Sequence, residues 1–206
     1  MNVDWDDTVD RHRARYRERI IDAAIDLVAE QGAAKSSMAA LAQRAGVGRA
    51  TVYKYFPSIE DALLAHVERE VKACSTRLES ICEDSDDPLD RLRGYIDVQL
   101  DTFAGQRHRL SWSTIDQADL SAAAMLSFRA HLEKLLAPLV EILSGGVAHG
   151  VLRADADPVL HARMIVKVLG SLREDIILGQ LAPATAADAV WKLVTGGLLA
   201  KSDSQG

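Results

Sequence analysis

Cysteine is scarce in this chain. Only two occur among the 206 residues, at Cys74 and Cys82. Two thiols are too few for a disulfide framework, and their spacing does not give the paired ligands of a structural zinc site. We therefore expect both to be buried or idle thiols.

Long apolar runs are also missing. No stretch approaches the roughly eighteen consecutive apolar residues that a membrane span requires. Residues 1–10 contain four acids and no base, whereas a secretory signal begins with basic residues and continues with apolar ones. The sequence therefore predicts a soluble protein of the cytoplasm.

Motifs of catalysis and of metal binding are absent as well. The chain has no Gly-x-Ser-x-Gly elbow, no phosphate-binding loop and no dinucleotide fingerprint. No histidine pair has the i, i+4 spacing of a helical zinc site, and these histidines fall on separate predicted elements: His66, His108, His131, His149 and His161. We expect no catalytic residue, no metal and no cofactor, which leaves a helical enzyme as a remote alternative.

Strand patterns of period two are missing too, and apolar residues recur every three or four positions instead, which predicts an all-α fold of about nine helices. Four helices are predicted in the N-terminal part: Tyr16–Gln31, Met38–Ala45 with Ser36 or Ser37 as its N-cap, one from Arg49 that Pro57 stops, and one from Ser58 to about Cys82 with Asp61 as capping-box partner.

The remaining helices are predicted from the same kinds of signal, and two of them from an aspartate N-cap followed by proline, at Asp87-Pro88 and Asp157-Pro158. In chain order, these are a helix after the linker Glu83–Asp87, from Pro88 to Gly105; a short piece around Trp112 and Ile115; a long helix from about Asp119 to Gly145–Gly146 that Pro138 should kink; one from Pro158 to Gly179; and one from Thr185 towards Ala200.

The distribution of charge is more informative than its total. A net charge of −6 argues at first against a nucleic-acid partner, because phosphate repels an acidic protein. Residues 11–57, however, hold nine Lys or Arg against four Asp or Glu, giving +5, while residues 58–206 hold fifteen against twenty-two, giving −7. This asymmetry is typical of a basic DNA-binding domain attached to a larger domain with a different function.

The segment Ser37–Phe56 contains two short helices joined by a glycine-containing turn, the arrangement of a helix-turn-helix. Ala42 is small where the helices cross, and Gly46 lets the backbone leave the first of them. Val47 and Val52 are expected to lie beneath the second helix. A plain helical hairpin within a core is the alternative, but the local positive charge and the run Tyr-Lys-Tyr-Phe favour DNA binding.

From about Arg17 to Leu64 the sequence resembles the TetR family of regulators. The matching runs are Glu30-Gln31-Gly32, Ser36-Ser37-Met38, Leu41-Ala42, Ala45-Gly46-Val47, Thr51-Val52-Tyr53, Tyr55-Phe56, and Glu60 with Leu63-Leu64. They cover about a quarter of the chain, and residues 150–158 look like the family's entry to its eighth helix.

The chain departs from the family pattern at two positions. Gly48 replaces a common serine before the recognition helix, and glycine is a tolerable cap. Ile59 replaces a common lysine, which removes a charged phosphate contact. Arginines at positions 11, 13, 15, 17 and 19 either compensate as a DNA-contacting arm or form a solvated face of a first helix that begins as early as Asp7.

The resemblance implies a three-helix DNA-binding domain over residues 11–70, followed by a larger helical domain for ligand binding and dimerisation over residues 71–206. Side chains that project from the recognition helix, and the N-terminus of the helix before it, are predicted to contact DNA: Ser36, Ser37, Arg49, Thr51, Tyr53, Lys54 and Tyr55.

The C-terminal part is expected to bind a second copy of the chain and a small molecule. Helices 158–179 and 186–200 are more apolar than one surface should tolerate, which predicts a homodimer on a palindromic operator. Six residues are candidates to line a ligand cavity or simply to fill a core: Phe103, Trp112, Met125, Phe128, His131 and Met164. No helical face clusters arginines, so we expect a mainly apolar ligand.

These features together predict a repressor that binds operator DNA and is released by the ligand. A regulator of the same fold that activates transcription, or that responds to a protein partner, is the alternative.

Overall fold

The computed structural model describes residues 5–105 and 120–199. The only β pairing in this part is one isolated bridge between Leu152 and Leu199, so the expected all-α class is confirmed. The α-helices are α1 Trp5–Gln31, α2 Met38–Ala45, α3 Arg49–Tyr55, α4 Ile59–Asp84, α5 Pro88–Ala104, α6 Ala122–Glu133, α7 Leu136–Ala148, α8 Pro158–Ser171, α9 Arg173–Ile177 and α10 Pro183–Leu198. None of them is long and apolar enough to span a membrane.

Several helix ends lie where local sequence signals predicted them, because a polar side chain satisfies the first free N–H groups. Ser37 Oγ accepts from Ala40 N at 3.2 Å, and Ser58 Oγ accepts from Asp61 N at 3.2 Å. Asp87 Oδ1 accepts from Leu89 N at 2.9 Å before α5. Asp157 does the same for the first turn of α8. These predictions are confirmed.

Two helices are longer than predicted. α1 begins at Trp5, before Tyr16, where its apolar pattern starts, and two residues before the alternative start at Asp7. α4 continues to Asp84, into the segment predicted as a linker. In both places polar residues continue an amphipathic helix without a proline or a glycine that would end it. The short piece predicted around Trp112 lies outside the described residues.

The long helix predicted from about Asp119 is in fact two helices, α6 and α7. Proline lacks an N–H, and its ring clashes with the carbonyl four residues earlier. Pro138 is the third residue of α7, so the chain breaks one turn before it, where Lys134 N bonds His131 O at 3.2 Å and Leu135 N bonds Leu132 O at 3.1 Å.

The predicted end at Gly145–Gly146 was also wrong, since α7 runs on to Ala148. A Cβ on Gly146 would lie 2.7 Å from Leu152 Cδ1, so this glycine serves close packing rather than helix termination. The left-handed residue that ends the turn is Gly150, with φ 71°.

The two C-terminal helices differ from prediction as well. The helix opened by Asp157 and Pro158 turns at Leu172 and continues as the short α9. The last helix begins at Pro183 instead of Thr185, because proline is well suited to the first helical position.

The described residues form two compact units, residues 5–70 with 120–129 and residues 71–105 with 130–199. In the first unit, α1 packs against α2, and α2 against α3. Its hydrophobic core includes Ile20, Ile21, Ala24, Leu41, Val52, Phe56 and Leu63.

In the second unit, α5 is central and packs against α7 and α10. Tyr95 on α5 is fully buried, and its hydroxyl donates to Leu135 O at 2.9 Å while accepting from Gln99 Nε2 at 3.3 Å. Burial raises the pKa of Tyr95, so the hydroxyl keeps its proton and remains a donor. Arg93 on α5 bonds Asp97 and, at 2.8 Å, Asp188 of α10.

Candidate DNA-binding interface

Three features stabilise the turn between α2 and α3. Gly46 adopts the left-handed conformation with φ 63°, and Val47 N returns to Ala42 O at 3.1 Å. Arg19 of α1 donates from Nη2 to Ala45 O at 2.7 Å, which satisfies a carbonyl at the end of α2. The angle between the two helices is therefore fixed by backbone bonds and by one long-range side chain.

α3 presents one face to the interior of the first unit and another to solvent. Val52 is completely buried. Arg49, Tyr53 and Lys54 are all exposed, and Tyr53 has 56% of its surface accessible. At about 100° per residue, Lys54 points almost directly away from Val52, and Arg49 and Tyr53 lie between the two directions. This outward face carries two positive charges and a phenol.

Ala50 also lies on the outward face and is exposed. Sequence reasoning missed it because alanine carries no polar group. A methyl group on such a surface can contact the methyl of thymine in the major groove, so Ala50 belongs to the candidate interface.

Thr51 and Tyr55 flank this face rather than forming it. Both are half-buried, and Tyr55 packs against the core of the first unit. The aromatic ring of Tyr55 therefore helps to fix α3 to its neighbours.

The two serines before α2 have different bonds. Ser36 Oγ donates its proton to Gly32 O at 2.8 Å. Ser37 Oγ is exposed and accepts from Ala40 N, which leaves its own proton available to an acceptor. Ser37 is therefore the better placed of the pair to donate to a phosphate.

Ile59 at the start of α4 packs against the core of the first unit. Where the family commonly has a lysine, this chain has an apolar contact. The structure thus gives Ile59 a packing role at that position.

Two of the N-terminal arginines make contacts inside the first unit. Arg17 lies 5.7 Å from the centroid of the Phe56 ring and 3.8 Å from Glu68, and Arg19 bonds Ala45 as described above. Arg13 and Arg15 are exposed. Neither alternative drawn from the sequence, arm or solvated face, anticipated the internal contacts of Arg17 and Arg19.

An ionic cluster joins α4 to α1. Arg69 donates from Nη1 to Glu18 Oε2 at 2.6 Å and from Nη2 to Asp22 Oδ1 at 2.8 Å. Its Nη2 also lies 2.8 Å from Nδ1 of the buried His66. No local signal could have revealed this cluster, because its members are up to 51 residues apart.

The residues predicted to line a ligand cavity are divided between the two units. Met125 and Phe128 belong to the first unit, whereas Phe103, His131 and Met164 belong to the second. Trp112 lies outside the described residues. The structure does not bring all six together within one unit.

Phe103 and Met164 have contrasting surroundings in the second unit. Phe103 is buried, with the guanidinium of Arg173 4.6 Å from its ring centroid. Met164 lies on the surface of α8, 53% exposed. Among the residues that the structure describes, no group of three His, Cys, Asp or Glu side chains could hold a metal ion.

Comparison with known proteins supports a DNA-binding role. Residues 20–66 match the family of bacterial regulatory proteins called the tetR family. The fatty acid metabolism regulator protein of Bacillus subtilis (strain 168) is 26% identical over 165 residues, which are 80% of this chain and 82% of that protein. The HTH-type transcriptional repressor KstR of Rhodococcus jostii is 32% identical over 123 residues, 58% of this chain and 56% of that one.

A solved structure shows the same fold. FadR of Bacillus subtilis in complex with stearoyl-CoA superposes with a TM-score of 0.75 at 24% identity, over 87% of this chain and 98% of that chain. The two relatives described above are named as a regulator and a transcriptional repressor.

The turn yields a test of its geometry. A Cβ on Gly46 would lie 2.8 Å from Arg19 Nη2, so Gly46→Ala should strain the left-handed backbone and also displace the bond from Arg19 to Ala45. We expect a loss of unfolding free energy of about 2 kcal/mol in urea denaturation. Gly150→Ala is the control: φ there is 71° and nothing lies within 4 Å, so only about 1 kcal/mol should be lost. Equal losses would contradict a role for Arg19 in holding the turn.

Proposed function

We propose that the chain is a regulator of the TetR kind that represses transcription as a homodimer on a palindromic operator and is released by a small, mainly apolar ligand; the match of residues 20–66 to the tetR family and the similarity to a Bacillus subtilis regulator support this. The observation that carries this proposal is the outward face of α3. The first unit is assigned to DNA, and the second to dimerisation and ligand binding.

The outward face of α3 suits the major groove. A helix enters that groove with its N-terminal residues towards the base edges, and Arg49 is the first residue of α3. Arginine can bond guanine in two places, whereas Lys54, in the last turn, is suited to a phosphate. Ser37 and the N-terminus of α2 supply a second phosphate contact.

Operator binding should depend on both cations of α3. We expect Lys54→Ala to weaken binding similarly on all sequences and to reduce the salt slope by about one for each bound copy, hence by about two for the proposed dimer. Arg49→Ala should cost about 1–3 kcal/mol at one base pair and relax specificity there. Fluorescence anisotropy at several salt concentrations, with a duplex that the wild-type protein selects from a random pool, measures both.

Lys72→Ala is the matched control for that titration, because Lys72 is an exposed cation on the part of α4 that belongs to the second unit. It should leave affinity and salt slope unchanged. Unchanged operator binding by the Arg49→Ala, Lys54→Ala double variant would rule out α3 as the reading helix.

The dimer is proposed from the surface of α8 and α10. Val159, Leu160 and Met164 on α8 are exposed, and Leu193 on α10 is 64% exposed. Large exposed apolar patches mark interaction sites. Nothing lies within 4 Å of a Cβ placed on Gly196 or Gly197, which leaves room for a partner helix to approach α10 closely. These surfaces lie within the ranges 158–179 and 186–200 expected from the sequence.

Leu193→Asp should convert the dimer to a monomer, because it places a charge within the apolar interface. Light scattering at micromolar concentration measures the mass. Leu126→Asp is the control: Leu126 is 70% exposed on α6, outside the proposed interface, so that variant should remain dimeric. A wild-type protein that is monomeric under these conditions would refute the proposed dimer.

A long-chain acyl thioester of coenzyme A is the proposed ligand. The Bacillus subtilis FadR structure contains stearoyl-CoA. Its acyl chain is the mainly apolar group expected from the sequence, whereas its coenzyme A part carries phosphates and departs from that expectation. In the second unit, the buried ring of Phe103 offers an apolar contact beside the guanidinium of Arg173. For such a ligand to release DNA, it must bind the DNA-free form more tightly, since equal affinity for both forms shifts nothing.

Calorimetry with stearoyl-CoA, with and without operator, tests this proposal. We expect the operator to weaken binding of the ligand by about 5–150-fold, which corresponds to a coupling of about 1–3 kcal/mol. Coenzyme A alone is the control, because it shares the polar part and lacks the chain, and it should bind weakly in both titrations. Equal stearoyl-CoA affinity with and without operator would show that this ligand does not release the protein from DNA.

A further inference from the structure

The start of α6 is capped in an unusual way. Ser121 is the N-cap residue, and its Oγ accepts from Ala124 N at 3.2 Å. In a complete capping box, the third residue of the helix supplies a Glu or Gln side chain that accepts from the N–H of the N-cap residue. Here that third residue is Ala124, which has no such group.

The side chain that accepts from the N–H of Ser121 comes from another helix, α4. Glu60, the second residue of α4, accepts from Ser121 N through Oε1 at 2.8 Å and from Ser121 Oγ through Oε2 at 2.8 Å. The two residues are 61 positions apart in sequence. Both belong to the first unit.

The apolar contact that often accompanies a capping box is also made with residues outside α6. The residue before an N-cap often packs against the fourth residue of its own helix, as a hydrophobic staple. In α6 these residues are Leu120 and Met125. Leu120 packs instead against the core of the first unit, and Met125 is 36% exposed.

Little else stabilises the first turn of α6. Ala122 and Ala123 are exposed, and only Ala124 of the first three residues is buried. An isolated helical turn is unstable because nucleation costs more than one hydrogen bond returns. The order of this turn therefore depends on Glu60 and on the core beneath Leu120.

We infer that Glu60 is a positioning residue that couples the first turn of α6 to the reading helix. Glu60 follows α3 by only five residues, so a displacement of α3 with the start of α4 removes the cap. α6 in turn continues to Glu133, and its residues from Ala130 belong to the second unit. Because coupling is reciprocal, a change that frays the start of α6 also releases Glu60.

Amide hydrogen exchange of the full-length protein tests the cap without DNA. In Glu60→Ala, the amides of residues 121–126 should exchange about fivefold faster, the factor that corresponds to a cap of about 1 kcal/mol. Glu79→Ala is the matched control, since Glu79 is exposed on the same helix, and it should not alter these amides. Peptides from α8 report whether a variant is unfolded as a whole.

A second variant separates capping from coupling. Asp is a strong N-cap by itself, so Glu60→Ala with Ser121→Asp should restore slow exchange in residues 121–126 without a bond to α4. When wild-type protein binds its selected duplex, exchange in these residues should slow further. In the double variant it should not respond to DNA.

Equal exchange in Glu60→Ala and wild type, in the absence of DNA, would overturn the cap supplied by α4. A DNA response that persists in the double variant would overturn the coupling. Failure of the wild-type protein to select any duplex would instead count against the proposed function, and the exchange rates without DNA would still decide whether Glu60 caps α6.

Discussion

The first unit is built around a helix too short to stand alone. α3 has seven residues, fewer than an isolated helix needs for stability in water, yet it carries the exposed side chains of Arg49, Tyr53 and Lys54 that are proposed to contact DNA. Its rigidity is supplied by its neighbours. Val52 is buried on one side, Tyr55 packs at the edge, and Phe56 ends the helix inside the core. These three residues fix α3 to the core of the first unit.

Several arginines of this unit make contacts within it, so its net positive charge overstates the charge available to DNA. The basic character of residues 11–57 pointed to DNA, but Arg17 and Arg19 make contacts within the unit, and Arg44 is paired with Glu30. On the outward face of α3 only Arg49 and Lys54 are cationic. If these two cations make the phosphate contacts, affinity for each copy is modest, and the proposed dimer gains importance for a tight complex.

The parts of the structure that sequence could predict are those determined by neighbours in the chain. The caps at Ser37, Asp87 and Asp157 and the turn at Gly46 each depend on residues within about four positions, and each was predicted. The glycine pair before Ala148 was misread because its role depends on Leu152 packing against Gly146. The cluster of Arg69 and the cap from Glu60 were invisible because their partners are more than 45 residues away. Ala50 was overlooked because sequence reasoning looked for polar groups.

The cap that Glu60 provides for Ser121 has a consequence for protein engineering. In a regulator with separate DNA-binding and ligand-binding parts, the DNA-binding segment can be exchanged so that the same ligand controls a different promoter. A chimera that takes residues up to about 70 from a regulator without Glu at position 60 would lose this acceptor while retaining Ser121. Each part of the chimera could fold, but the first turn of α6 would lack the carboxylate that accepts from Ser121. Positions 60 and 121 therefore need to be transplanted as a pair.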